Sequence, residues 1–98
     1  MTLEGSNVNE TEIITVRYWA AARAAAGVAQ EAVPTASGMT LDALLALLRE
    51  RHPDGGFADV VAVCSVLVGD RPVSSSDPGA VLVEPGASVE FLPPFAGG

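Results

Sequence analysis

The groups in this sequence that can do chemistry are few. Cys64 and His52 are the only thiol and the only imidazole. A nucleophile–base pair would have to join His52 to Cys64 or to a serine, and would still need a third group to orient the base. His52 closes a helical pattern just ahead of Pro53, whereas Cys64 sits inside an apolar run. A surface histidine at the negative end of a helix dipole and a cysteine acting as a small hydrophobe account for both. All five bases are arginine, so no lysine is present for Schiff-base chemistry. No Cys/His spacing fits zinc, and neither GxGxxG nor GxxxxGK[ST] occurs. Ser74 to Asp77 could be a phosphosite, but reads more simply as a solvated loop. No carboxylate pair is spaced along one helix face. What remains is the end of the chain, LPPFAGG, and the carboxylate of Gly98.

That end is built to be handled by something else. Pro93 and Pro94 fix φ at two positions and favour an extended exit. Phe95 is an apolar anchor, and Ala96, Gly97 and Gly98 carry almost no side chain, so they can enter a narrow tunnel. A carboxylate becomes electrophilic only when activated, for example as an acyl-adenylate made with ATP. The missing Cβ at Gly98 then leaves room for a sulfur or amine nucleophile. Lacking lysine, another copy of this chain offers no ε-amine to such an activated end.

The elements that must position this tail can be read upstream. Ninety-eight residues, 49% of them apolar but only 5% aromatic, suit one domain with an aliphatic core. Residues 1–11 are polar and are expected to form a flexible leader ahead of a single domain, 12–98, with residues 93–98 protruding. EIITVRYW (12–19) is a β-branched strand whose alternation puts Ile14, Val16 and Tyr18 on one face. AAARAAAG predicts a short helical turn stopped by Gly27, and QEAVPT (30–35) an edge strand, because Pro34 cannot donate to a ladder. The clearest helix is TLDALLALLRERH (40–52): Thr40 caps it and Leu41, Leu44, Leu45 and Leu48 form one stripe. VAVCSVLV is expected to be a strand covered on both faces, and GDRPV turns it back into a short return strand. Residues 74–86 read as turns around Asp77-Pro78-Gly79 and Glu84-Pro85-Gly86. ASVEFL (87–92) is the last strand, with Val89 and Phe91 on one face and Glu90 and Leu92 on the other. The order predicts an α+β fold in which one main helix covers one face of a mixed sheet and leaves the other face to meet a partner.

A net charge of −7 provides no basic footprint for nucleic acid and favours a basic protein partner. The first twelve residues lack a secretory pattern, and no apolar run is long enough to span a membrane. With one cysteine, a reducing cytoplasm is expected.

FLPPFAGG, preceded by the strand pattern of Gly86, Val89, Glu90 and Phe91, resembles the C-terminus of the MoaD/ThiS family of ubiquitin-like sulfur carriers. The likeness is greatest to its molybdopterin synthase small-subunit branch and extends through YWAAARAAAG, TLDALLALLRERHP and VLVGDRPV. The resemblance implies a β-grasp (ubiquitin-like) fold. It implies that Gly98, with Gly97 as its required neighbour, is adenylated by a ubiquitin-activating-type adenylyltransferase (MoeB/ThiF-like) and converted to a thiocarboxylate. ATP would be used by that partner, with no cofactor bound by this chain. It further implies that Leu92, Pro93, Pro94, Phe95 and Ala96 dock into a molybdopterin synthase large subunit (MoaE-like), where sulfur passes to precursor Z. Phe91 maps to the same segment, but its alternation with Val89 assigns it to the core. Two other destinations stay open: a carrier for thiamin, cysteine or another sulfur metabolite, and a protein modifier or binding module.

Overall fold

A computed structural model describes residues 12–54, 56–73 and 78–94. The first strand, β1 (Ile13–Tyr18), alternates as its sequence requires, with Ile14, Val16 and Tyr18 buried. Ala20, at φ 51°, is the sole non-glycine residue with positive φ among those described. Its left-handed conformation makes an abrupt corner from which α1 (Ala20–Ala26) starts at once. Gly27 ends α1 in the left-handed region, its N–H bonded to the Arg23 carbonyl. The chain returns as β2 (Gln30–Pro34) and a two-residue strand β3 (Met39–Thr40). It then enters α2 (Leu41–Arg51), whose first turn is capped by the Thr40 hydroxyl accepting from the Ala43 N–H at 3.1 Å. There follow α3 (Phe57–Val63), β4 (Ser65–Val68), β5 (Arg71–Pro72), a single 3₁₀ turn at Pro78–Ala80, β6 (Leu82–Val83) and β7 (Ser88–Leu92).

Five strands form one mixed sheet in the order β2-β1-β7-β4-β5, in which β7 runs parallel to β1 and the other pairings are antiparallel. Proline-bearing β2 is at an edge, as expected. The register aligns Tyr18 with Phe91 and Val16 with Val89, and β4 places Val66 and Val68 beside them. Onto this face α2 turns Leu41, Leu44 and Leu48, α3 turns Phe57 and Val61, and α1 contributes Ala22. Each large aliphatic side chain so buried contributes about 1.5–3 kcal/mol relative to exposure. Leu45 packs at the margin of the cluster, only partly buried.

Three differences from the sequence reading have clear causes. VAVCSVLV is not one strand: its first residues are the last turn of α3, and β4 begins at Ser65. Phe57 and Val61 are buried at the i, i+4 spacing of a helix. The apolar run looked continuous because a helix end and a strand start abut at Cys64. Helical cover is therefore shared by α1, α2 and α3, with α1 packed on α3. Finally, β3 and β6 form a small separate sheet, pairing Met39 with Val83 and Thr40 with Leu82, where only turns were expected. Their approach depends on Gly38 (φ 84°), since a Cβ there would sit 2.7 Å from the Val83 carbonyl oxygen.

Candidate functional site

The tail leaves from the middle of the sheet. Strand β7 has β1 on one side and β4 on the other, so its end is fixed from both. Phe91 is fully buried, and its ring stacks on Tyr18 with centroids 5.8 Å apart and planes 16° from parallel. One position past β1, the Trp19 N–H donates to the Phe91 carbonyl at 3.1 Å. Leu92 is opposite Ser65 in the ladder, half-buried and on the face away from the core. Pro93 and Pro94 follow, both exposed. Phe95, Ala96, Gly97 and Gly98 lie outside the described residues, as do residues 1–11 and 74–77.

Beneath this exit is a polar cluster that the sequence did not reveal. The β1–β2 register sets Glu31 opposite Val16, which puts the glutamate on the inner face. Its carboxylate accepts from the Tyr18 hydroxyl and from Arg51 Nη1 at 2.8 Å, and it pairs with His52 Nε2 at 2.6 Å. Arg51 also donates to the Ala32 carbonyl at 3.1 Å. His52 is thus not the surface residue expected at a helix end: its side chain is 15% exposed, and its ring packs 4.8 Å from that of Phe57. Burial disfavours ionisation of Glu31, yet the hydrogen bonds from Tyr18, His52 and Arg51 together outweigh it, and the carboxyl lies below its ordinary value of 4.5. Burial first, and then the bond to Glu31, pushes the Tyr18 hydroxyl far above its ordinary range, so it remains a donor. The available signal was the i, i+2 alternation of Glu31 with Val33, which placed an acid on the core side of β2.

A depressed carboxylate stabilises the fold above its unfolded value and ceases to do so as pH falls through the folded one. Glu31→Gln is therefore expected to lower stability at pH 7 by about 1–3 kcal/mol. The gap from the parent chain should shrink as pH falls below about 4. Denaturant melts of the two chains at both pH values check this.

The cluster does not make a catalytic dyad. The Cys64 thiol donates to the Val60 carbonyl at 3.3 Å, and burial raises its pKa. Among the described residues no three His, Cys, Asp or Glu side chains gather as they would around a metal ion. Nor is any described helix long and apolar enough to cross a membrane.

A mixed sheet with helices on one face, and a central strand that delivers the chain's end, defines the ubiquitin-like β-grasp class. Residues 16–98 match the ThiS family model, and the chain belongs to that family of ubiquitin-like sulfur carriers and modifiers. No curated protein sequence matches it. Among solved structures it is similar to a putative molybdopterin converting factor subunit 1 from Pyrococcus furiosus, with 25% identity and a TM-score of 0.69 over 85% of this chain and 98% of that one. It is also similar to small archaeal modifier protein SAMP1 of Haloferax volcanii, with 19% identity and a TM-score of 0.67 over 88% of this chain and 99% of that one. A third likeness is to the complex of subunits 1 and 2 of molybdopterin-converting factor from Helicobacter pylori, with 20% identity and a TM-score of 0.60 over 88% of this chain and 99% of the matched one.

Proposed function

We propose that this chain is the small, sulfur-carrying subunit of a molybdopterin synthase. The observation that supports the proposal is that central β7 ends at half-buried Leu92, with exposed Pro93 and Pro94 after it and the sequence Phe95-Ala96-Gly97-Gly98 beyond. The Gly98 carboxylate attacks the α-phosphorus of ATP on a ubiquitin-activating-type adenylyltransferase, giving an acyl-adenylate and releasing pyrophosphate. Hydrosulfide released by a sulfur donor attacks the acyl carbon, displaces AMP and leaves a thiocarboxylate. The tail then enters a large synthase subunit and transfers its sulfur to precursor Z, and two charged carriers supply both sulfurs of the dithiolene. The Pyrococcus likeness and the two-subunit Helicobacter complex support this destination and this partner. In this scheme the domain contributes rigidity, while ATP binding and catalysis belong to the partners. Because fold does not fix function, the archaeal modifier protein favours a second reading, in which the diglycine is joined to amines of other proteins.

Leu92 and Phe95 are the apolar contacts the large subunit would use. Leu92→Glu or Phe95→Glu is expected to weaken binding to it by about 1.4 kcal/mol or more, a tenfold rise in Kd. The melting transition should stay close to that of the parent chain. Titration calorimetry measures the first and calorimetric melting the second, and unchanged affinity would remove both residues from the interface.

A further inference from the structure

Beside the base of the tail is a cleft of about 230 Å³ lined by Arg17, Tyr18, Trp19, Arg23, Ala29 and Gln30. It brings together two of the chain's five cations in a protein of net charge −7. Among the described residues neither Arg17 nor Arg23 has an ion-pair partner. Register sets Arg17 opposite Glu90, yet that carboxylate accepts instead from the Trp19 indole N–H at 3.0 Å. Trp19, the one tryptophan, is 48% exposed and fixed at both ends, by that bond and by its own N–H on Phe91. A half-exposed indole beside two guanidiniums has the composition of an interface centre, where Trp and Arg are enriched.

We propose that this cleft seats a local acidic segment of the otherwise basic protein that receives the tail, since Arg17 and Arg23 form a positive spot on a chain of net charge −7. Guanidinium forks match carboxylates two bonds at a time, and these cations have none of their own among the described residues. A free nucleotide is disfavoured by size, because small-molecule sites commonly enclose about 300–1,000 Å³. Continuity points to one partner: Trp19 follows Tyr18, whose register mate Phe91 is followed by Leu92, so the cleft is on the strand next to the one that ends at Leu92. The proposal rests on the reading that the tail is captured by a large synthase subunit.

The test is titration of the full chain with that large subunit at low and high salt. The variants are Arg17→Glu/Arg23→Glu, Arg49→Glu outside the cleft, and a chain lacking Gly98, with circular dichroism confirming that each is folded. The double variant should bind about tenfold or more weakly and show a flatter salt dependence, while Arg49→Glu binds like the parent. Equal loss in Arg49→Glu, or no loss in the double variant, overturns the cleft. If deletion of Gly98 leaves binding unchanged while the arginine effect persists, capture of the tail fails and the cleft stands. Trp19 fluorescence supplies a direct check with ATP and inorganic phosphate as probes. Arginine-dependent saturation by either at a concentration below about 1 mM would assign the cleft to a free anion and overturn the acidic segment.

Discussion

A chain carrying one extra residue after Gly98 should lose sulfur transfer by about 100-fold or more while its melting temperature stays within about 3 °C of the parent. One residue moves the terminal carboxylate outward by about 3.3–3.6 Å, and misplacement of a reacting group by as little as about 1 Å is enough for a loss of this order. The fold has no stake in the change, because the described core ends at Phe91, and Leu92 is already on the other face. Deleting Gly98 should act in the same way. Single-turnover transfer and thermal melting, run on the same preparations, separate the two quantities. Transfer by the extended chain without prior trimming would refute the mechanism.

The second large effect is the reverse, and lies inside the fold. Phe91→Ala should destabilise the domain by about 3–5 kcal/mol, the range for truncating a buried aromatic ring. Phe91 has no exposed surface and stacks on Tyr18, which in turn meets Phe57 edge-on at 5.7 Å and His52 at 6.0 Å. Removing the ring opens a cavity beside Tyr18, the ring that the other three share, and loosens the strand that delivers the tail. Leu92→Ala, on the opposite face and only half-buried, should cost less than about 1.5 kcal/mol. Denaturant unfolding of the pair checks both values. Near-equal losses would mean that β7 does not divide its faces between core and partner.

How much of this was legible in the sequence depended on whether a signal was local. Period-two alternation in β1 and β7, the leucine stripe of α2, the Thr40 cap and the Gly27 stop are each written within a few residues. Each is present in the structure. The boundary at Cys64 was not legible, because an apolar run has no period to distinguish a helix from a strand once the two abut. The pairing of β3 with β6 links residues far apart in sequence through two-residue strands, too short to carry a pattern. The Glu31 cluster joins side chains of β1, β2 and the end of α2, which no local pattern connects, and the Arg17–Trp19–Arg23 cleft depends on the left-handed corner at Ala20, a conformation that alanine does not announce. Of the site residues read from the tail, Leu92, Pro93 and Pro94 are at the exposed end of β7. Those of Phe95, Ala96, Gly97 and Gly98 rest on sequence.

Both halves of the account, an ordered platform and a terminal group that others activate, meet at Gly98. The most direct measurement is the intact mass, and the mass of the C-terminal fragment, after incubation with the adenylyltransferase, ATP and a sulfur donor. Replacement of one terminal oxygen of Gly98 by sulfur is the expected result. A Gly98 that acquires no sulfur, and is recovered instead in amide linkage to lysines of other proteins, would contradict the carrier and assign the chain to the modifiers.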